Sequence, residues 1–151
     1  MKFIIKEGSI NDIKEIIEAI KYLHDIIENT EWYAIGLADY DKILDKLNDE
    51  AIIVKALYKD DLAGFLLVER HINPKHELAE EIPKDELSSS IEMDNAGVLP
   101  KYRGNHLQES LILKAESIMK ERDASIKYSY ATVHPDNLAS FKTLEKTGYK
   151  K

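Results

Sequence analysis

Val98-Leu99-Pro100-Lys101-Tyr102-Arg103-Gly104-Asn105-His106-Leu107-Gln108 is the stretch on which the fold turns. Ahead of it, Ser90 to Val98 reads as a long β-strand. Pro100 stops that strand, because a proline has no amide to give a ladder. From Gly104 onward apolar residues return at helical spacing. Leu107, Leu111, Ala115 and Ile118 fall at i, i+4, i+8 and i+11, a stripe to be buried. The segment is a strand end, a short basic turn and a helix start. The first amides of a helix lack internal partners and stand at the positive end of its dipole, so such a turn suits a phosphate or pyrophosphate. Arg103 adds a fixed cation, and Lys101 can add a second. An ordinary β–α connection has the same outline, so the segment alone does not decide function. Gly97, near the strand end, marks a bulge or a close backbone approach.

Working outward, Lys127 to Val133 is a strand rich in Tyr and Thr. Asp136 or Asn137 then caps a last helix, with Phe141 and Leu144 inward and Gly148 as its left-handed cap. Upstream, Phe3-Ile4-Ile5 is a short strand. Ser9 or Asn11 caps a helix with Ile13, Ile16, Ile17, Ile20, Leu23 and Ile27 on one face. A weaker helix covers about Asp41 to Leu47. Residues 51–58 and Leu62 to Glu69 are strands joined at Lys59-Asp60-Asp61 into a hairpin. Residues 71–88 are polar and acidic, with Pro74 and Pro83. A connection this long in a compact domain is a functional flap or a mobile loop. The order of strand, helices, antiparallel strands, helix, strand and helix predicts a mixed α/β fold in one domain over residues 1–151, with no internal repeat.

Composition narrows the class. The chain of 151 residues is 44% hydrophobic and 32% charged, as globular domains are. It has no Cys, which excludes thiolate metal sites and disulfides and fits a reducing, cytoplasmic setting. No apolar run reaches a membrane span, and the apolar start is too short for a signal peptide. The net charge of −7 is unevenly spread. Residues 1–100 carry 11 Lys and Arg against 22 Asp and Glu, a balance of −11, whereas residues 101–151 carry 10 against 6, a balance of +4. The acidic part argues against nucleic-acid binding, and the basic part can face a phosphorylated cofactor. His24, His71 and His76 show no ligand spacing, so no metal site is expected.

Val98 to Gln108 resembles the cofactor motif of the GCN5-related N-acetyltransferase (GNAT) family, V-x-P-x-x-R-G-x-G-[IL]-[GA]. Val133-His134-Pro135-Asp136-Asn137 to Gly148-Tyr149 resembles the family's second motif, an Asn followed by a helix that ends in Gly-[FY]. The two occur in family order, separated by one helix and one strand, and the likeness covers about residues 90–149. The resemblance implies a mainly antiparallel central sheet flanked by helices, with the cofactor-binding half in residues 90–149 and the first strand and helices in residues 1–50. It implies acetyl-CoA as co-substrate. Backbone amides of Arg103, Gly104, Asn105, His106, Leu107 and Gln108 would cradle the CoA pyrophosphate. The backbone of Ala96, Gly97 and Val98 would pair with the pantetheine arm. Asn137 would contact that arm and Phe141 would lie along it. The activity implied is acetyl transfer to a primary amine, on a small molecule or a peptide, by direct attack on the thioester.

The chain departs from the pattern in three places. His106 and Gln108 stand where the family usually has Gly, and Gly or Ala; a His in the first helical turn raises no φ problem, but its bulk must point away, or it donates a hydrogen bond to phosphate instead. Leu144 stands where many members carry the Tyr that reprotonates the CoA thiolate. The family's last strand would follow Tyr149-Lys150-Lys151, so one acceptor-side wall falls to later residues or to a second copy in a homodimer. These departures leave open a degenerate module that binds acyl-CoA without turnover.

An amine is mostly protonated at neutral pH, so transfer needs a base. Glu92, six positions before Val98, is the first candidate, and some family members place a base glutamate there. Asp94 shares its face by alternation, and the pair would raise one pKa or bind a cationic substrate. Tyr128 and Tyr130 share a face of the next strand, and Tyr130 is the candidate to replace the acid missing at Leu144, or it packs in the sheet. Trp32 and Tyr33 would form an acceptor lid, or anchor the core edge.

Overall fold

The structure is a computed structural model that describes residues 1–26, 39–70, 82–131 and 138–150, without the side chains of residues 138, 139 and 141. Strand β1 (Phe3–Glu7) is followed by a 3-10 turn, Ile10–Asp12. Ser9 caps this turn in a capping box with Asp12, whose carboxylate also holds the Lys55 ammonium at 2.7 Å. Helix α1 (Ile13–Ile26) and helix α2 (Tyr40–Asn48) come next, and Asp39 caps α2 by accepting from the Lys42 amide. The hairpin is β2 (Ile52–Tyr58) and β3 (Asp61–Glu69). A four-residue helix α3 (Lys84–Leu87) leads into β4 (Ser90–Val98). After a 3-10 turn at Pro100–Tyr102 come α4 (Leu107–Arg122), β5 (Tyr128–Ala131) and α5 (Leu138–Lys146).

The five strands lie in sequence order, antiparallel from β1 to β4 and parallel between β4 and β5. Period-two alternation sends one set of side chains to each face. Val54, Leu66, Val68, Ile91 and Met93 pack with α4, through Leu107, Leu111, Ile112, Ala115 and Met119. Ile53, Phe65 and Leu67 pack with α1 and α2, through Ile13, Ile16, Ile20, Leu23 and Ile43. The sheet is thus the middle of three layers. Among the described residues no helix is long and apolar enough to cross a membrane.

Three expectations are corrected. The buried face of α4 continues to Met119, and Ile118 is only half-buried, because a helix lying across four strands covers a broad face rather than a narrow stripe. The connection expected over residues 71–88 contains the helix α3, with residues 71–81 outside the described set. The bulge in β4 falls at Asp94, not at Gly97. Leu67 faces Asn95 and Val68 faces Met93, so Asp94 is the extra residue.

That bulge reverses the alternation. Ile91 and Met93 face α4 before it, and Ala96 and Val98 face α4 after it. Gly97 is thereby turned toward α1. A Cβ there would lie 2.6 Å from the Leu23 side chain and 2.7 Å from the Phe65 ring, so this is the close approach that the glycine permits. Gly97→Ala is expected to destabilise the fold by about 1–3 kcal/mol through overpacking, measured by denaturant unfolding. An unchanged midpoint would refute the packing account.

Candidate active site

The segment expected to bind an anion begins where β4 stops. Val98 still pairs with Gly64, and the Leu99 amide donates to the Ala63 carbonyl at 2.9 Å. The 3-10 turn that follows is anchored by Tyr102, a buried ring against Phe3 and Tyr58 at 6.0 and 5.7 Å between centroids. Beyond it the backbone turns left-handed twice, at Gly104 (φ +84) and at His106 (φ +56). Left-handed residues in such a turn are the kind of backbone geometry that can direct amides toward an anion. The Asn105 side chain donates to the Tyr102 carbonyl at 2.9 Å and fixes the loop, leaving only its backbone for a ligand. The first helical bond of α4 runs from the Ser110 amide to the His106 carbonyl at 3.1 Å, so the amides ahead of it open outward. Leu107 is buried with Leu111 and offers only its amide, while Arg103 and His106 are exposed.

His106 corrects a further expectation: it does occupy a φ that favours glycine. The chain must reverse into α4 at this N-cap position, which costs an L-residue about 1–2 kcal/mol. His106→Gly is expected to raise stability by about 0.5–1 kcal/mol, after the flexibility that glycine adds to the unfolded chain, measured as a shift of the denaturation midpoint. No gain would refute the strain.

Along the strand, β4 pairs with β5 only from Ser90↔Tyr128 to Met93↔Ala131 among the described residues. Ala96, Gly97 and Val98 lie on the stretch of β4 beyond that pairing. Asn137, Trp32 and Tyr33 lie outside the described residues, as does the side chain of Phe141.

At the other end of that stretch is a charged cluster on the face toward α1 and α2. Glu92 is 2% exposed and is the register partner of Glu69. The bulge brings Asp94 to the same cluster. The Lys46 ammonium, from α2, stands 2.7 Å from both the Glu69 and the Asp94 carboxylates. Burial pushes the Glu92 carboxyl up to about 7. The charges of Asp94 and Glu69 and a hydrogen bond with Glu69 add to this, and Lys46 opposes it. A carboxyl near neutrality can take a proton and release it at physiological pH.

Tyr130 is the register partner of Glu92 on β5, and its ring lies 6.5 Å from that of Tyr128, on one face as expected. Its hydroxyl lies 3.4 Å from a Glu86 oxygen on α3. Burial and the Glu86 charge raise its pKa, so it stays protonated at neutral pH. Leu144 packs on the core.

Sequence reasoning missed Lys46, Glu69 and Tyr149. The Tyr149 hydroxyl is shared with Ser129 and lies 3.3 Å from Glu116, tying the end of α5 to β5 and α4. The cue for Glu69 was a lone carboxylate closing an apolar strand. Its partner follows only from the β3–β4 register.

A profile of the acetyltransferase (GNAT) family matches residues 17–149. No curated protein matches the chain in sequence. Solved structures of similar fold include an N-acetyltransferase (PaiA) from Thermoplasma acidophilum in complex with coenzyme A. It has 22% identity and a TM-score of 0.71, over 99% of this chain and 91% of that one. An aminoglycoside N-acetyltransferase in complex with CoA has 16% identity and a TM-score of 0.69, over 98% and 92%. A ribosomal-protein-alanine N-acetyltransferase from Brucella melitensis has 17% identity and a TM-score of 0.71, over 97% and 84%. At these identities the likeness speaks to the fold, which is the one described above. With nearly nine-tenths of its length inside the family profile, the chain belongs to the acetyltransferase (GNAT) family.

Proposed function

We propose that residues 1–151 form a single acetyltransferase domain that moves an acetyl group from acetyl-CoA to a primary amine, with Glu92 as the base. The observation that carries this reading is a buried carboxyl raised to about 7 on the strand that leads into the left-handed turn and helix start at Gly104 to Leu107. Val98 and Glu92 are six residues apart, roughly 20 Å of strand. A ligand with phosphates at one end and a reactive group at the end of a long arm suits that span. CoA fits these residues: amides from Arg103 to Gln108 for its pyrophosphate, Arg103 as counter-charge, and the backbone of Ala96, Gly97 and Val98 for its arm. Asn137 and Phe141 are the proposed contacts on the opposite side.

Acetyl-CoA supplies the acetyl group activated as a thioester. Glu92 takes the proton of the acceptor ammonium, so that the amine lone pair is free to attack. Backbone N–H groups of β4 beyond the pairing with β5 seen among the described residues are the proposed donors to negative charge on the acyl oxygen. As the new C–N bond forms and the C–S bond breaks, Tyr130, protonated at neutral pH, is the proposed donor to the departing sulfur, and the second proton shed by the acylated nitrogen restores its hydroxyl; Asp94, Trp32 and Tyr33 are the proposed acceptor contacts. The acidic balance of residues 1–100 favours a cationic acceptor. CoA-bound relatives of the same fold include an aminoglycoside N-acetyltransferase, so polycationic amines head the panel.

The test is to incubate the protein with acetyl-CoA and a panel of polyamines, aminoglycosides and peptides, and to follow release of free thiol. Thiol with at least one amine is expected. Thermal stabilisation by acetyl-CoA with no thiol from any amine would favour the non-catalytic module. No stabilisation by millimolar CoA would sink the cofactor assignment, because a ligand far above its Kd must shift the melt.

A further inference from the structure

We propose that Lys46 is a positioning residue of the acyl-transfer site: its ammonium, clamped between Glu69 and Asp94, holds these two carboxylates at the β4 bulge and so governs the protonation of Glu92. The inference rests on reading Glu92 as the base.

The geometry is specific. Lys46 lies in the last turn of α2, on the far side of the sheet from the core helix α4. It reaches one carboxylate on β3 and another on β4, each at 2.7 Å, and joins three elements at one point. Burial works against its charge, but hydrogen bonds and attraction from Asp94 and Glu69 outweigh that and raise its pKa, so it is a permanent cation. Among the described residues, the groups that face Glu92 divide element by element. Strand β3 presents Glu69, β4 presents Asp94 and α2 presents Lys46. Strand β5 presents Tyr130, whose hydroxyl is directed to Glu86 of α3. Helix α1 turns the uncharged Ile16, Ile20 and Leu23 inward. Among the described residues, Lys46 is thus a cation set against three carboxyl groups in this cluster. Without it, the charges of Glu69 and Asp94 would bear more strongly on Glu92, and the cluster would hold a proton to higher pH. Removal of Lys46 acts on Glu92 through those two carboxylates, not by contact with a substrate.

The experiment is a pH titration of protein labelled with ¹³C at glutamate side-chain carboxyls, with the Glu92 signal identified by its loss in Glu92→Gln. Lys46→Met keeps the aliphatic stem and a strong helix former, so α2 is retained. Unchanged stabilisation by CoA checks the fold. The Glu92 midpoint is expected to rise by about one pH unit or more in Lys46→Met and to return to the wild-type value in Lys46→Arg. An unmoved midpoint in Lys46→Met, or a rise that Lys46→Arg fails to reverse, would overturn the proposal. The pH dependence of kcat/KM, measured with the best amine of the panel, separates this from the base assignment. If the carboxyl midpoint moves and the acid limb of the rate does not, Lys46 governs Glu92 but Glu92 is not the base.

Discussion

Glu92→Gln is expected to lower kcat/KM by roughly 10²- to 10⁴-fold and to flatten the acid side of the pH–rate profile. The carboxamide keeps the size and most hydrogen bonds of the carboxyl, but it takes no proton. In the wild-type protein the base form is lost as pH falls through about 7, where burial and the neighbouring Asp94 and Glu69 have pushed this group. The rate should therefore fall about tenfold per pH unit below that point. The variant should show a low rate without that limb. A loss of less than threefold, or an acid limb that persists, would remove Glu92 from the mechanism.

The same substitution has a stability signature of defined sign. The folded pKa of Glu92 is raised above its ordinary value of 4.5, so the folded state binds a proton that the unfolded state has released. The resulting stabilisation is complete below about pH 4.5 and is lost as pH rises through about 7. Glu92→Gln should be least favourable relative to wild type at the acid end, and should gain on it by on the order of 3 kcal/mol as pH rises. Parallel unfolding curves at pH 5 and pH 8, with a constant difference between the two proteins, would contradict a strongly raised pKa.

The strand end, turn and helix start at Val98 to Leu107 were legible because their determinants are local. A strand stopped by Pro100, a glycine, and a helical stripe from Leu107 lie within a dozen residues. Both hairpin strands and β4 were legible for the same reason: their pattern is their own. The cluster around Glu92 was only half legible. Asp94 was expected beside Glu92 from simple alternation, and it is there, but as a bulge residue that reverses the faces of everything after it. No pattern in Met93-Asp94-Asn95 announces an extra residue, because a bulge is decided by the partner strand. Glu69 and Lys46 reach the site through a register and a helix docking that sequence spacing does not encode. His106 was misread because residue type stood in for backbone geometry. The family's glycine at that position is explained by φ, and this chain bears the strain instead.

Arg103→Glu is expected to weaken CoA binding by roughly 10- to 100-fold, the range for losing a charge-assisted hydrogen bond and adding repulsion. Arg103 is exposed in the turn just before the left-handed Gly104 and His106. The substitution should therefore leave stability within about 0.5 kcal/mol, which separates a binding effect from unfolding. The effect must also depend on the phosphates. Pantetheine carries the same arm and thiol without them, and its binding should be unchanged by Arg103→Glu. Salt gives a second signature. The wild-type affinity for CoA should fall as ionic strength rises, and that slope should be shallower once the guanidinium is gone. An equal loss for CoA and pantetheine would place Arg103 at the arm rather than at the phosphates. No loss for either would mean that the helix amides hold the anion without it. The prediction thus isolates the part of the site that would persist in a protein that binds CoA without turning it over, whereas Glu92→Gln addresses only the chemistry.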